Sequence, residues 1–344
     1  MAGVRPMIGR AKRGLRRRFA PRPLILMYHR VAEDGPDPWR LCVSPANFER
    51  QLGALRALNC TIVHVSELAR NLAIGKVPRR TIAVTFDDGY RDNLEAARPL
   101  LEKYDSPATL FATAGYIGRS EEFWWDALER IFLQPGDLPP ALELVIEGQI
   151  YQQKLEEAAK LSASDALRWR EWKPFSEPPT ARHRLHDELW RKLVDTRPEE
   201  RDRIVFALLE WAGLDANARP SRAPLSEAEL RQLRGDGLVQ IGAHSMTHPA
   251  LPSLPPPMQA LELRASKSRL EEVLNEPVLG FSYPQGRSST ETQLQVRKAG
   301  YAFACGSASS SVPRRPDLYQ LPRLAVRDWD APRFKAFVEA HIAE

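Results

Sequence analysis

Short apolar runs alternate with amphipathic segments near the start of the chain. The run PLILMYH at 23–29 predicts a buried strand, because a short continuous apolar run is typical of a parallel sheet covered on both faces. Ser44 is placed to cap the next helix, whose apolar residues recur every three or four positions. The run TIVHV at 61–65 predicts a second strand, and Ser66 is expected to cap the helix after it. This alternation is typical of a barrel or a doubly wound sheet.

The alternation continues to about residue 118 and resumes near residue 225. Residues 119–224 interrupt it with proline clusters and most of the tryptophans. We interpret this stretch as a largely helical insertion and a candidate lid. The expected architecture is a single α/β domain over residues 23–344, built as a distorted (β/α) barrel that carries the insertion.

The basic charge of the chain is confined to its first residues. The net charge is +5, but residues 1–22 hold eight basic side chains and no acidic one, so the remainder is slightly acidic. We predict a disordered basic leader, with peripheral contact to an anionic membrane as the alternative. Because the rest of the chain has no basic excess, a nucleic-acid partner is not expected.

Neither a signal peptide nor a membrane span is expected from the hydrophobic pattern. The leader lacks the apolar central region of a secretory signal, and the apolar runs are shorter than the ~20 residues that cross a bilayer. Three widely spaced cysteines favour a reducing compartment. We therefore expect a cytoplasmic protein, either free or peripheral at the inner membrane face.

Two adjacent carboxylates lie within the hexapeptide TFDDGY at 85–90, at the end of a predicted strand. Burying like charges side by side is unfavourable unless a cation or a proton intervenes. A cation bound by one carboxylate would let its neighbour stay ionised and take a proton from water. Gly89 permits a turn that points both side chains to one rim, since successive strand residues otherwise face opposite sides.

Two histidines, His244 and His248, follow the predicted strand 238–242. Pro249 disfavours helical geometry at His248, which indicates a loop that brings the two rings together. The carboxyl ends of barrel strands meet at one rim, where active sites are built. One Asp and two His form a suitable ligand set for Zn²⁺ or another divalent ion. The alternative is a solvated Asp-Asp-Gly turn with two surface histidines.

The segments TFDDGY at 85–90, HSMTH at 244–248 and FSYPQG at 281–286 occur in this order. Together they resemble the motifs of the polysaccharide deacetylases with a NodB-type domain, carbohydrate esterase family 4. The resemblance covers about residues 22–118 and 225–330. It implies a distorted (β/α) barrel and hydrolysis of an N-acetyl group on a sugar.

The resemblance also implies roles for single residues. The implied roles are general base for Asp87, metal ligands for Asp88, His244 and His248, and oxyanion donor for the backbone N–H of Tyr90. The implied cofactor is one divalent ion, with Zn²⁺ preferred and Ni²⁺, Co²⁺, Fe²⁺ or Mn²⁺ as alternatives.

The third motif departs from the commonest form of the family. Ser282 and Gln285 stand where that form has an arginine that orients the base and an aromatic residue. Arg323 is our candidate for the orienting residue, and Arg287 is the second candidate.

The histidine that often supplies the general acid in this family also has no counterpart, because no His lies between His248 and His341. His29, at the end of the first predicted strand, is our candidate for this role. Protonating a departing amine needs a group that titrates near neutrality, as imidazole does. A partly buried core histidine is the alternative.

Substrate contacts are expected from the third motif and from the start of the insertion. The predicted residues are Tyr283, Pro284, Gln285, Trp124 and Trp125. Aromatic faces stack on sugar rings, although a helix packed on the barrel would also explain the tryptophans. The Tyr-His pair at 28–29 and the Tyr-Pro-x-Gly form of the third motif resemble the branch that acts on exported β-linked N-acetylglucosamine polymers.

These patterns predict a metal-dependent hydrolase that removes N-acetyl groups from a sugar in a polysaccharide or glycan precursor. One alternative is hydrolysis of another non-peptide C–N bond on a small molecule. The other is a catalytically degenerate protein that binds glycans as a partner in biosynthesis.

Overall fold

A computed structural model of the chain describes residues 22–33 and 35–343. Nearly all of the basic leader lies outside the described residues, so its disorder and its contact with a membrane stay predictions. Among the helices that are described, none has both the length and the apolar character of a membrane span.

The apolar runs at both ends of the chain form strands. The strands are β1 Leu24–Tyr28, β2 Arg30–Val31, β3 Cys42–Val43, β4 Thr61–Ile62, β5 Thr81–Asp88, β6 Ala108–Ala112, β7 Gly136–Asp137, β8 Ala141–Ile146, β9 Gln149–Lys154, β10 Lys160–Leu161, β11 Val239–Ala243, β12 Gly280–Ser282, β13 Phe303–Cys305 and β14 Leu324–Ala325.

Amphipathic segments form the helices between them. The helices are α1 Pro45–Ala57, α2 Val65–Ala73, α3 Arg98–Lys103, α4 Trp124–Leu133, α5 Ala163–Arg168, α6 Ala181–Leu193, α7 Pro198–Trp211, α8 Glu227–Arg234, α9 Pro256–Leu274, α10 Thr290–Lys298 and α11 Ala331–Ala343. As predicted, the Ser44 hydroxyl accepts the Asn47 N–H before α1. Ser226 forms a capping box with Glu229 at α8.

One curled parallel sheet organises the domain. Its strand order is β13-β12-β11-β6-β5-β1-β14, with β4 beside the first residues of β5. An isolated bridge between Cys305 and Leu321 joins β13 to the segment before β14, so the two edges of the sheet approach each other. The predicted distorted (β/α) barrel is confirmed.

Both faces of the sheet are covered by apolar side chains. Leu24 and Leu26 belong to one buried cluster, whereas Ile25 between them packs in another with Val65 and Leu68 of α2. This two-sided burial explains why β1 is apolar without alternation.

The first helix boundary after β4 differs from the prediction. Helix α2 begins at Val65 with His64 as its N-cap, so the predicted cap at Ser66 is wrong. The Val65 N–H donates to the Thr109 hydroxyl of β6 at 3.2 Å. The neighbouring strand therefore supplies an acceptor that a capping side chain would otherwise provide.

A second apolar core is formed mainly by residues between 119 and 224, the predicted insertion. Helices α4, α6 and α7 contribute most of the buried residues, including Trp124, Leu189 and Leu208. The antiparallel hairpin β8-β9 packs on them through alternate residues of β8. The core of this insertion also includes Tyr90 of the TFDDGY segment, so the insertion packs directly on the rim of the barrel.

Candidate active site

The register of the sheet gathers the two carboxylates and the first histidine at one rim. Asp87 and Asp88 of β5 lie opposite Phe111 and Ala112 of β6, which in turn pairs with β11. The N–H of His244, directly after β11, donates to the Ala112 carbonyl at 2.8 Å. Because these strands are parallel, their carboxyl ends lie at the same edge.

A turn in the left-handed region directs both carboxylates to this rim. Asp88 has φ +73° and Gly89 has φ +100°, so the reversal begins one residue earlier than the turn we expected at Gly89. The Nε2 atom of His244 lies 3.9 Å from Asp87 Oδ2 and 3.6 Å from Asp88 Oδ1. Left-handed backbone at a non-glycine residue costs of order 1–3 kcal/mol and is concentrated at functional sites.

Asp88, His244 and His248 form a buried group whose ligand atoms all lie within 4.8 Å of one another. Asp88 Oδ1 is 3.6 Å from His244 Nε2 and 3.5 Å from His248 Nε2. An ion about 2.1 Å from each donor would separate the donors by roughly 3–3.4 Å. The two Asp88–histidine distances lie just above this range, so the group is suited to a divalent ion, and its mixed O and N donors suit Zn²⁺ and its neighbours in the first transition row.

Hydrogen bonds orient the two imidazoles. The Nδ1 atom of His244 lies 2.8 Å from the Ser282 carbonyl, to which it donates, so Nε2 carries the free lone pair. The Nδ1 atom of His248 lies 3.4 Å from the Gln285 amide nitrogen. The orientation of this amide decides the His248 tautomer: the Nε2 lone pair of His248 is free only when the amide oxygen faces Nδ1 and accepts its proton.

The site contains a buried ion pair. Arg323 Nη1 and Nη2 donate to Asp87 Oδ1 and Oδ2 at 2.7 and 2.6 Å. Arg323 Nη2 also donates to the Ser282 hydroxyl at 2.7 Å. Ser282, which stands where the family commonly has an arginine, thus contacts the arginine that arrives from the segment before β14.

This arrangement separates the protonation states of the two carboxyls. Burial alone would raise the pKa of Asp87, but the Arg323 guanidinium holds it well below its usual range. Burial and the neighbouring Asp87 charge raise the pKa of Asp88 well above its usual range. Asp87 is consequently ionised throughout the neutral range, and Asp88 is the carboxyl that gains most from a bound cation.

The second candidate for orienting the base is not at the site. Arg287 is exposed and pairs with Asp195 of the insertion at 3.1 Å. The expectation for Arg287 is therefore wrong, because its side chain points to a surface ion pair instead of to Asp87.

His29 lies at the same rim, directly after β1. Its carbonyl accepts from the Asn93 amide at 2.9 Å, and its ring is half-buried. Burial lowers the pKa of His29 to about 4, and the Asp87 charge opposes this shift only in part. The ring is therefore neutral at pH 7, within range of the charges of Asp87 and Arg323.

The backbone N–H of Tyr90 points away from residues 223–225, which pair with residues 89–91. The Leu225 N–H donates to the Gly89 carbonyl, and the Arg91 N–H donates to the Ala223 carbonyl, both at 2.9 Å. These bonds flank Tyr90 in an antiparallel bridge to Pro224, a pattern in which the N–H of the central residue points to the opposite side.

Four of the five predicted substrate contacts are buried, and their contact with a sugar stays a prediction. Tyr283 and Pro284 are buried, and the Tyr283 hydroxyl donates to the Tyr319 carbonyl. Trp124 is only 1% exposed. The Trp125 ring lies against two other rings. Its centroid is 4.8 Å from that of Phe123, on which it stacks, and 4.4 Å from that of His248. Gln285, the fifth residue, is half-buried beside His248.

Two residues that hold the loop 244–248 in place were not among the sequence-based predictions. Glu262 of α9 accepts the Met246 and Thr247 N–H groups, each at 2.9 Å. Arg201 of α7 donates to the Thr247 carbonyl at 2.6 Å. Both side chains are buried, Glu262 on the helix that follows the loop and Arg201 on α7. A charged residue at an apolar-face position of each helix was the available signal.

The fold and the site together define a (β/α) barrel with a buried Asp-His-His group, a candidate divalent-ion site, beside an Arg-paired aspartate. A family described as polysaccharide deacetylase matches residues 74–136 and 188–304, just over half of the chain. The chain therefore belongs to the polysaccharide deacetylase family, and the predicted NodB-type, carbohydrate esterase family 4 membership is confirmed.

Individual relatives match shorter stretches. A poly-beta-1,6-N-acetyl-D-glucosamine N-deacetylase of Staphylococcus aureus is 34% identical over 76 residues, which is 22% of this chain and 26% of the relative. A putative polysaccharide deacetylase of Bacillus subtilis, YxkH, is 34% identical over 95 residues, 27% of this chain and 33% of the relative. These matches thus span about a quarter to a third of the relatives' length.

Solved structures share the fold over most of the chain. The Streptococcus pyogenes deacetylase PplD in complex with acetate has a TM-score of 0.58 at 18% identity, covering 93% of this chain and 98% of that one. IcaB from Ammonifex degensii has a TM-score of 0.57 at 19% identity, with coverage of 93% and 98%. At this level of identity the likeness shows the fold.

Proposed function

We propose that the protein is a divalent-metal-dependent deacetylase that removes N-acetyl groups from a sugar in a polysaccharide or glycan precursor. The observation that carries the proposal is the buried Asp88-His244-His248 group directly beside an Asp87 carboxylate held by Arg323. This pairs a cation site with an ionised base at one barrel rim. Family membership supports the class of reaction.

Asp87 and Arg323 form the proposed base. A divalent ion held by Asp88 and the two histidines, Zn²⁺ by preference, would supply charge that acidifies water and stabilises developing negative charge. Asp87 accepts the proton of the water whose oxygen attacks the acetamido carbonyl. Arg323 fixes both Asp87 oxygens, so the acceptor is held in one orientation.

Tyr90 and His29 complete the proposed reaction. The Tyr90 N–H donates to the oxyanion of the tetrahedral intermediate. His29 then protonates the nitrogen as the C–N bond breaks, which releases acetate and the free amine. Because burial keeps the His29 ring neutral at pH 7, it must receive a proton within the cycle, and Asp87 is the proposed source.

N-acetylglucosamine polymers are the proposed substrates. The S. aureus relative is named for a β-1,6-linked polymer of this sugar. The Tyr28-His29 pair and the Tyr283-Pro284-x-Gly286 segment resemble the branch that acts on such polymers. Gln285, half-exposed beside His248, is the proposed sugar contact within that segment.

Acetate release from a panel of N-acetylated glycans, O-acetylated glycans and lipid-linked sugars tests this function. We expect release from N-acetylglucosamine oligomers that a chelator abolishes and added Zn²⁺ or Co²⁺ restores. Release that is indifferent to the chelator, or release from O-acetylated sugars alone, would contradict the proposal.

A further inference from the structure

A buried arginine of the insertion reaches the loop that carries His248. Arg201 of α7 is fully buried. Its Nη2 donates to the Thr247 carbonyl at 2.6 Å and its Nη1 donates to the His248 carbonyl at 3.4 Å. A buried guanidinium needs partners for its donors, and these two carbonyls belong to the loop 244–248, which carries both histidines.

The loop depends on such contacts because its backbone is unusual. Ser245 has φ +63° and His248 has φ +58°, a conformation that L side chains rarely adopt. Glu262 holds the N–H side of Thr247 at 2.9 Å and its hydroxyl at 2.7 Å. Arg201 holds the carbonyl side of the same residue, so two buried side chains of opposite charge clamp Thr247 from two helices.

A second element of the insertion, helix α4, contacts the side chain of His248. The Trp125 ring of α4 lies 4.4 Å from the His248 ring. Its Nε1 donates to the Tyr90 hydroxyl at 2.8 Å, and that hydroxyl donates to Asp126 at 2.6 Å. The insertion is thereby connected to both the TFDDGY segment and the histidine loop, which is more than a lid over the site requires.

We infer that Arg201 is a positioning residue that sets the divalent-ion affinity of the Asp88-His244-His248 group. The insertion is an integral part of the metal site, and ion binding and the packing of α7 on the rim are coupled. This inference rests on the proposed metal-dependent function. It does not depend on which acetylated substrate the protein uses.

Replacement of Arg201 tests the inference against a control on the same helix. Arg203 is exposed and bonds Glu200 and the Val145 carbonyl. We expect Arg201→Met to weaken Co²⁺ binding at least tenfold and to change the visible absorption of bound Co²⁺. Arg203→Met should stay within twofold of wild type with an unchanged spectrum. Wild-type Co²⁺ affinity and spectrum in a folded Arg201→Met protein would overturn the inference.

The same titration separates this inference from the proposed function. If the wild type binds no Co²⁺, the proposed metal site is wrong and the inference fails with it. If the wild type binds Co²⁺ and Arg201→Met binds equally well, only the role of Arg201 is wrong. Arg201→Lys, which keeps a buried cation but not the forked donors, should give an intermediate affinity.

A measurement on the unmodified chain covers the case in which Arg201 variants do not fold. Amide hydrogen exchange is compared with and without Co²⁺. We expect the ion to slow exchange at residues 244–248 and in α7, while the β8-β9 hairpin and α11 stay unchanged. Protection of the loop without any protection of α7 would overturn the coupling.

Discussion

Asp87 and Asp88 are neighbours in the chain, yet their surroundings assign them different chemistry. Burial disfavours the charge of both. The Arg323 guanidinium more than offsets the effect of burial on the pKa of Asp87. The adjacent Asp87 charge adds to the effect of burial and raises the pKa of Asp88 further. A cation beside Asp88 and the two histidines would favour the charged form of Asp88 and lower its pKa. Asp87 is therefore ionised at neutral pH and is the proposed proton acceptor, and Asp88 is the proposed cation ligand.

Arg323 is expected to act through the orientation of Asp87. Arg323→Lys keeps the buried charge but lacks the rigid planar fork that holds both carboxylate oxygens, so we expect kcat to fall by roughly 10–100-fold with the ion content preserved. Acetate-release kinetics and metal analysis measure both quantities. Arg287→Lys, at a surface ion pair, is the control and should retain wild-type kcat. Equal kcat in the two variants would remove Arg323 from the mechanism.

His29 is expected to serve proton transfer alone. His29→Ala should lower kcat by about 10²–10⁴-fold and leave the ion bound, because the ring is not part of the ligand group. His341→Ala is a matched control, since His341 lies in the last helix, where its ring bonds the Phe337 carbonyl of the same helix. Near-normal kcat in His29→Ala would show that the amine is protonated by another group.

Residue types at strand ends predict which groups meet, but not how they are oriented. The sequence places Asp87, Asp88, His244 and His248 at one rim because parallel strands share an edge. It cannot choose between Arg323 and Arg287, since this depends on the path of a loop. Nor does an aromatic residue such as Trp125 show whether its ring faces solvent or another ring.

At the scale of elements, the insertion is more tightly packed than its charged sequence indicates. His183 and His186 lie among charged residues in the sequence, a pattern that predicts solvated rings, yet both are buried in α6. The His183 ring packs edge-on against Trp169 and Trp172 of the segment around α5. That prediction is wrong because the charged residues on the outer face of α6 do not indicate that its inner face packs against aromatic rings.

The burial of His183 predicts how stability depends on pH. Burial lowers its pKa to about 4, from about 6.5 in an unfolded chain. Because the unfolded state then binds more protons, stability falls as the pH drops from 6.5 towards 4. We expect wild type to lose on the order of 1–2 kcal/mol more than His183→Gln between pH 7 and 5.

Urea unfolding of both proteins at several pH values measures this difference. Above pH 7.5 His183 is neutral in both states, so the stability difference between the two proteins should be constant there. Parallel stability curves across pH 5–7 would show that His183 is exposed in solution.

Strand and helix periodicity predicts most elements of the barrel, since two-sided burial gives continuous apolar runs such as β1. Boundaries are less predictable where a partner from another strand satisfies the backbone. The start of α2 is one example, because the Thr109 hydroxyl accepts the Val65 N–H. No local pattern around Ser66 contains that contact.

At the scale of the whole molecule, the sheet and the insertion build the site jointly. The sheet gathers Asp87, Asp88 and His244 through strand register, and the insertion supplies Arg201 and Trp125 behind His248. The interruption at 119–224 is visible in the sequence, but its contacts with the site are not, because long-range contacts of buried side chains leave no local periodicity. The cytoplasmic location stays a prediction.

The division of labour between the two carboxylates is the central claim, and a paired measurement of turnover and bound ion tests it. With the best glycan of the acetate-release panel, Asp87→Asn should lose activity by about 10²–10⁴-fold while retaining a wild-type content of divalent ion. His248→Ala should lose both the ion and the activity. Deacetylation by Asp87→Asn at the wild-type rate would contradict the account.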